Sequence, residues 1–293
     1  MSKRSINKAL GLPNKKISSH SVIKWIVFAI MVIYAISLLI PFLWMMLNSF
    51  KTNDDYALAG NTFGFPHPWT FQNYSSVMST SGQYSMLSMF LMSVLITVVG
   101  TVINVGLSAI SAYCVAKYRF PGRKFILGAA IFTMVVPIIG TLPATYRMLE
   151  TLHLNNSIFG VLFLYSGCFG FNFILLHSSF ETISWSYAEA AQIDGAGRFQ
   201  ILFKVMMPLA KGPIIAVAIL EAIALWSDYS TPYLFMHDMP TLAVGLQALQ
   251  NEAKGNYPVQ FSAVMVAVIP IFILFACFQK TIIKNTVAGG LKG

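Results

Sequence analysis

Six apolar stretches, at roughly 25–47, 88–116, 125–147, 157–179, 213–235 and 260–283, constrain this chain more than anything else in it. Each is near the ~20 residues an α-helix needs to cross the hydrocarbon of a bilayer. Charges, prolines or Asn/Gly clusters bound every one of them. A soluble domain carries about 25% charged residues; this 293-residue chain carries 10%, and 56% of it is hydrophobic. One oversized core does not explain the deficit, because a single core stops growing near this length. Lipid is therefore the solvent for most of the surface. The expected fold is all-α, a polytopic membrane bundle of six transmembrane helices. Pro137 and Pro143 interrupt the third stretch and Pro270 the sixth. A membrane bundle tolerates such prolines where neighbouring helices or water satisfy the freed carbonyls.

Lys and Arg orient the bundle. Lys3, Arg4, Lys8, Lys15, Lys16 and Lys24 precede the first stretch, and Lys117, Arg119, Arg123 and Lys124 follow the second. Arg198, Lys204 and Lys211 lie between the fourth and fifth, and Lys280, Lys284 and Lys292 close the chain. These are 16 of the 19 basic residues; only Lys51, Arg147 and Lys254 fall on the other side. Both termini are then cytoplasmic by the positive-inside rule, and the net charge of +9 needs no nucleic-acid partner. The basic N-terminus lacks the apolar stretch and cleavage site of a secretory signal, so the first span is expected to stay attached. The expected organisation is a cytoplasmic tail (1–23), a first helix (24–48), an extracytoplasmic loop (49–86), a core of the other five spans (87–283) and a cytoplasmic tail (284–293). Neither the first outer loop nor a second near 236–259 reaches the ~50 residues or more of a domain with its own core.

Chemistry-bearing residues are sparse. Cys114, Cys168 and Cys277 sit in apolar runs at unrelated spacings, which excludes a metal or disulfide framework. His20, His67, His153, His177 and His237 are scattered over both sides, so no catalytic or metal set converges and a membrane enzyme is a poor reading. The second span instead carries Gly100, Asn104, Ser108, Ala112 and Ala116 at successive i+4 positions. Small residues on one stripe let membrane helices approach closely; Asn104 either packs there or lines a path. SGCFGFN (166–172) puts two glycines and Asn172 in mid-membrane, where a weakened helix turns backbone groups toward a cavity. Glu221 lies within the fifth span and Asp228 near its outer end. An acid at a helix centre costs about 2.5–3.5 kcal/mol on insertion scales and usually faces the bundle interior. Glu221 is thus a protonated or hydrogen-bonded packing residue, or part of a path. Trp226 suits either a path or an interfacial anchor, and Tyr229 an anchor.

Between the fourth and fifth stretches, YAEAAQIDGAGRFQILFKVMMP (187–208) is polar and broken by glycines. Ser186 and Glu189 have the spacing of a capping box. The helix begun there meets Asp194-Gly195 and Gly197, which stop helices and turn the chain. A second helix then carries Phe199, Leu202, Phe203 and Met206 as one apolar stripe and ends at Pro208. The product is a cytoplasmic helix–turn–helix. It can rest on headgroups or dock in the groove of a soluble partner.

Glu189-Ala190-Ala191, three residues, Gly195, nine residues and Val205-x-Met207-Pro208 resembles the EAA loop of type-I ABC importer permeases. Val205 and Met207 stand where that pattern has Ile and Leu. FPHPWTFQNY (65–74), KYRFPGRK (117–124), WSDY (226–229) and the closing AGGLKG resemble the carbohydrate branch, specifically the six-span maltose-transporter permease subunit, although Ser227 replaces its usual asparagine. The likeness covers residues 24–293 and includes no counterpart of Glu221. It implies the ABC transporter type-1 transmembrane fold with the EAA loop at 181–212, and a non-catalytic subunit in a bacterial inner membrane. Glu189, Ala190, Ala191, Asp194, Gly195, Phe199, Met207 and Pro208 would dock on an ATPase. Asn104, Asn172, Glu221, Trp226 and Asp228 are the candidates for the translocation path of a sugar or oligosaccharide. The implied partners are a second, homologous permease, two ATP-binding subunits holding ATP and Mg, an extracytoplasmic solute-binding protein and membrane lipid. The chain itself contains no GxxxxGK[ST] phosphate cradle and is expected to bind no cofactor. The alternatives are a permease for another polar solute, such as a sugar phosphate, or a gradient-driven secondary transporter. The second would be expected to show an internal repeat, and none is evident between 25–147 and 157–283.

Overall fold

The computed structural model describes residues 19–79, 85–136, 140–253 and 255–290, and its regular structure within them is entirely helical. The basic residues from Lys3 to Lys16, together with Pro137, Lys254, Lys292 and Gly293, lie outside that description. In chain order, α1 (Ser19–Ser49) leads through an outer loop and a short α2 (Gln72–Ser79) into the long α3 (Met86–Lys117). The third apolar stretch forms α4 (Arg123–Val135) and α5 (Leu142–Thr151), with Pro143 in the first turn of α5, where its missing N–H costs nothing. The fourth forms α6 (Ile158–Tyr165) and α7 (Phe171–Thr182). The polar segment holds α8 (Ser186–Ile193) and α9 (Arg198–Leu209). The fifth stretch forms α10 (Lys211–Ser227) and α11 (Ser230–Phe235); α12 (Leu242–Glu252) and α13 (Tyr257–Gly290) complete the chain, α13 running through Pro270.

Among the described residues, α1, α3 and α13 are long and apolar enough to cross a bilayer alone. The other three expected spans are helix pairs with a break. Hydropathy counts residues, and a run of 20 apolar residues has the same score whether or not glycine or proline interrupts its hydrogen bonding.

α3 is the hub, packed against α7 and α10 and also touching α6, α12, α2 and α4. Its small-residue stripe makes this possible. A Cβ on Gly100 would stand 2.8 Å from Leu225 Cδ1 and 3.3 Å from Tyr165 Cδ2, so α10 and α6 occupy the space a side chain would need. α1 instead stands at the margin. It meets α13 through Phe42–Phe272 (4.8 Å between ring centroids) and Trp44–Phe261 (5.2 Å), while residues 23–40 are exposed throughout.

The outer loop folds on its own polar groups. Thr70 N–H donates to Phe50 C=O (2.9 Å), and the buried Asn73 amide donates to the carbonyls of Ser49 (2.8 Å) and Lys51 (2.7 Å). The Tyr74 and Ser49 hydroxyls share a hydrogen bond at 2.7 Å. The Thr-x-x-Asn-Tyr spacing is thus a clasp on residues 49–51. Inside it Lys51 is buried, with Nζ donating to Asn61 C=O; burial lowers its pKa and the nearby Asp55 offsets part of that. Burial works against the Asp55 carboxylate, but the Asn61 amide (2.9 Å), the His67 N–H (3.0 Å) and the Lys51 charge hold it below the usual carboxylate range.

Candidate functional site

Two helix breaks hold nearly all the candidate residues. The first separates α6 from α7. Helix α6 stops at Tyr165, and the freed carbonyls of Tyr165, Gly167 and Cys168 turn toward α3. Asn104 Nδ2 donates to the carbonyls of Tyr165 (3.0 Å) and Gly167 (3.1 Å), and Ser108 Oγ donates to Cys168 C=O (3.3 Å). Backbone that leaves a helix at membrane depth needs such partners, and the polar members of the α3 stripe supply them one turn apart. Asn172, in the first turn of α7, donates to Asn104 Oδ1 (2.9 Å) and to Glu221 Oε2 (2.7 Å). Three helices are therefore joined by one chain of side-chain hydrogen bonds.

A cavity of about 320 Å³ opens on this chain, lined by Asn104, Ser108, Asn172 and Glu221 with Gly167, Phe169, Gly170, Phe171, Leu220 and Ala224. Glu221 lies ten residues into α10, about 15 Å along its axis at 1.5 Å per residue. That is half the ~30 Å hydrocarbon thickness.

Asp228 and Trp226 sit elsewhere. Asp228 Oδ2 accepts from Tyr165 Oη (2.8 Å) and its Oδ1 accepts from Thr231 N–H (3.1 Å), so it ties α6 to the start of α11. Trp226 is buried against Phe90, and its indole N–H donates to Ala267 C=O at 3.0 Å, fastening α10 to α13 one turn before Pro270. The cavity also uses residues outside the candidate set. Ser108 stood in the small-residue stripe and Phe169 and Phe171 in the SGCFGFN stretch, so spacing could have proposed them. Tyr165 carries no local signal.

The second break is the polar segment. Helix α8 ends in a Schellman closure: Ala196 N–H donates to Ala191 C=O (2.9 Å) and Gly195 N–H to Gln192 C=O (3.0 Å). Gly195 has φ +81°, the left-handed conformation that costs a residue with a Cβ roughly 1–2 kcal/mol. Glu189, Ala190, Asp194 and Pro208 are exposed, and Ala191 and Met207 are half-buried. Ile201, Leu202, Met206, Ala210 and Ala188 pack on the ends of α3, α7 and α10 around Ala112, Tyr113, Phe180 and Val217. The axis of α9 is turned 78° from that of α10, so it lies crosswise under the bundle. Just upstream, Lys117 Nζ donates to Ile183 C=O and Arg123 pairs with Glu181 (3.4 Å), so KYRFPGRK grips the end of α7.

Two expectations fail here. The capping box of Ser186 and Glu189 does not form: the helix starts with Trp185 in the N-cap position and no side-chain cap, and Ser186 N–H is taken by Ser184 Oγ at 3.3 Å. The apolar stripe also divides. Leu202 and Met206 are buried, whereas Phe199 is 79% and Phe203 52% exposed. Residues 201–206 form a π-helical turn, and its i→i+5 bonding seats Ile201 beside Leu202 and Met206 on the buried face, in place of Phe199 and Phe203.

Comparison with known proteins places these features in context. The family model for the binding-protein-dependent transport system inner membrane component matches residues 104–286, which include both breaks. The diacetylchitobiose uptake system permease protein of Streptomyces coelicolor is 28% identical over 268 residues, 89% of this chain and 86% of that one. The sulfoquinovosyl glycerol transport system permease protein of Agrobacterium fabrum is 30% identical over 259 residues, 87% of this chain and 89% of that one. Among solved structures, a bacterial ABC transporter involved in the import of the acidic polysaccharide alginate matches with a TM-score of 0.74 and 27% identity, covering 90% of this chain and 98% of that chain.

Proposed function

Because this chain belongs to the family of binding-protein-dependent transport system inner membrane components, a non-catalytic, multi-pass permease component of ABC importers, we propose that it forms half of the translocation path for a sugar or oligosaccharide. Several relatives that match along most of its length are named for carbohydrate cargoes, diacetylchitobiose and sulfoquinovosyl glycerol among them. A second, homologous permease supplies the other half of the path. Two ATP-binding subunits, which hold ATP and Mg, drive it from the cytoplasm, and a solute-binding protein delivers cargo outside. Both termini are cytoplasmic in this reading, in accord with the distribution of Lys and Arg.

The observation that carries the reading is the surface of the bracket formed by α8 and α9. Ile193, Phe199 and Phe203 are 87%, 79% and 52% exposed beside the exposed Glu189. An apolar helix face with a carboxylate at its edge suits a groove on a soluble partner. The ATPase takes that face, Glu189 meets a basic group on it, and Gly195 permits the sharp turn between the helices. The buried face of α9 is seated on α3, α7 and α10, so closure of two ATPases around ATP pushes on the spans through a packed contact. Asn104, Asn172 and Glu221 line the path at mid-depth.

A cysteine at position 199 tests this. In membranes holding the assembled importer, Phe199→Cys is expected to cross-link to the ATP-hydrolysing subunit, with a yield that changes on ATP binding. Cross-links that never include an ATPase, or labelling of that cysteine from outside the cell, would refute the docking role.

A further inference from the structure

We infer that the cavity at the α6–α7 break selects cargo by charge: it accepts neutral or amino-bearing sugar units and turns away uronates and other anionic ones, with Glu221 as the specificity-determining residue. The inference rests on the importer reading above and adds to it the chemical class of the cargo.

It follows from the hydrogen-bond inventory of the site. A side-chain amide has two N–H donors and a hydroxyl one. Both donors of Asn104 are committed to the Tyr165 and Gly167 carbonyls, and both of Asn172 to Asn104 Oδ1 and Glu221 Oε2. The Ser108 proton is committed to Cys168 C=O. What the lining side chains have left is acceptors. Glu221 Oε1 and Asn172 Oδ1 take no hydrogen bond from the described residues. A sugar hydroxyl or an ammonium group can donate to them; a carboxylate cannot.

Charge points the same way. The lining holds one carboxylate and no Lys, Arg or His. The start of α7 faces the same space and carries about half a positive charge, which is less than the formal unit charge of a carboxylate. Its first backbone N–H groups remain able to meet a hydroxyl oxygen. Phe169 and Phe171 are both about half exposed and offer flat apolar surfaces for the C–H faces of a pyranose. A volume of about 320 Å³ is near the lower end of the roughly 300–1,000 Å³ of small-molecule sites. That fits a unit or two of a saccharide passing through.

The test uses the complete complex, with its partner permease and ATPases, in lipid nanodiscs. Glucose, glucosamine and glucuronate are titrated against it, with binding read by saturation-transfer NMR. Glucuronate is expected to bind about tenfold or more weakly than the other two, from like-charge repulsion across a few ångströms. Glu221→Gln should bring glucuronate level with glucose and weaken glucosamine, whereas Glu221→Asp should keep the wild-type ranking. A wild-type complex indifferent to charge, a ranking unmoved in Glu221→Gln, or no binding of any probe overturns the inference. ATPase stimulation by the loaded binding protein is measured on the same nanodiscs and judges the importer reading separately. Stimulation with a flat ranking removes only the charge selection; absent stimulation removes the importer reading, whatever the ranking.

Discussion

The chain interrupts its helices with glycines at 166–170 and again at 194–197, and finishes the two interruptions in opposite ways. In the first, carbonyls that leave α6 are met by side chains of another helix, Asn104 and Ser108 of α3, and the network runs on through Asn172 to Glu221. In the second, the helix closes on its own backbone through Gly195 and Ala196, and Phe199 and Phe203 beyond it stay exposed. One break is completed by the rest of the bundle, the other by four residues of local chain. A break completed from outside is stable only when the bundle is assembled and makes an internal cavity. A break completed locally can present a surface and wait for a partner.

Substitutions at the first break should cost stability and those at the second should cost coupling. The largest effect is expected for Asn104→Leu, which leaves two carbonyls unpaired at about 1–3 kcal/mol each. Thermal unfolding of the purified complex should fall by several degrees; an unchanged transition would mean that water or a shifted α7 meets those carbonyls instead. Tyr165→Phe removes one hydrogen bond to a carboxylate, worth about 1.5–3 kcal/mol, and should lower the same transition by less. Gly195→Ala forces a left-handed alanine at a cost of about 1–2 kcal/mol. A Cβ there meets nothing within 4 Å, so the whole cost is conformational. ATP-driven uptake should drop while the melting transition hardly moves; a fall in melting as large as that of Asn104→Leu would break the contrast. Phe199→Ser should leave stability within about 0.5 kcal/mol, as surface changes do, yet weaken co-purification of the ATPase. Undiminished ATPase association would remove this residue from the docking face.

The sequence marked both breaks but could not tell them apart in kind. Gly-rich stretches in apolar surroundings announced where the helices fail. The i+4 stripe on the second span held both donors, Asn104 and Ser108, that later meet the broken backbone. Trp226 and Asp228 attracted notice for the same reason as Glu221, a polar or aromatic group near a span, yet they fasten α13 and α11 instead of lining the cavity. The three lie within eight positions on or just past α10, and its rotation within the bundle separates them. The bracket shows a second limit. Its apolar periodicity was legible at 3.6 residues per turn, but the π-helical turn at 201–206 changed the period and sent Phe199 and Phe203 outward. The expected Ser186 capping box is absent because the preceding turn already supplies Ser184 Oγ to the Ser186 N–H.

Sequence alone determined that this chain lives in lipid as helices and where its helices cannot continue, because both depend on neighbours within a few residues. Tertiary structure decided which polar groups meet. Asn104, Asn172 and Glu221 are 68 and 49 residues apart along the chain, and only the close approach of α3, α7 and α10 brings them within hydrogen-bond reach. The free energy of those bonds depends on distances that no local pattern sets.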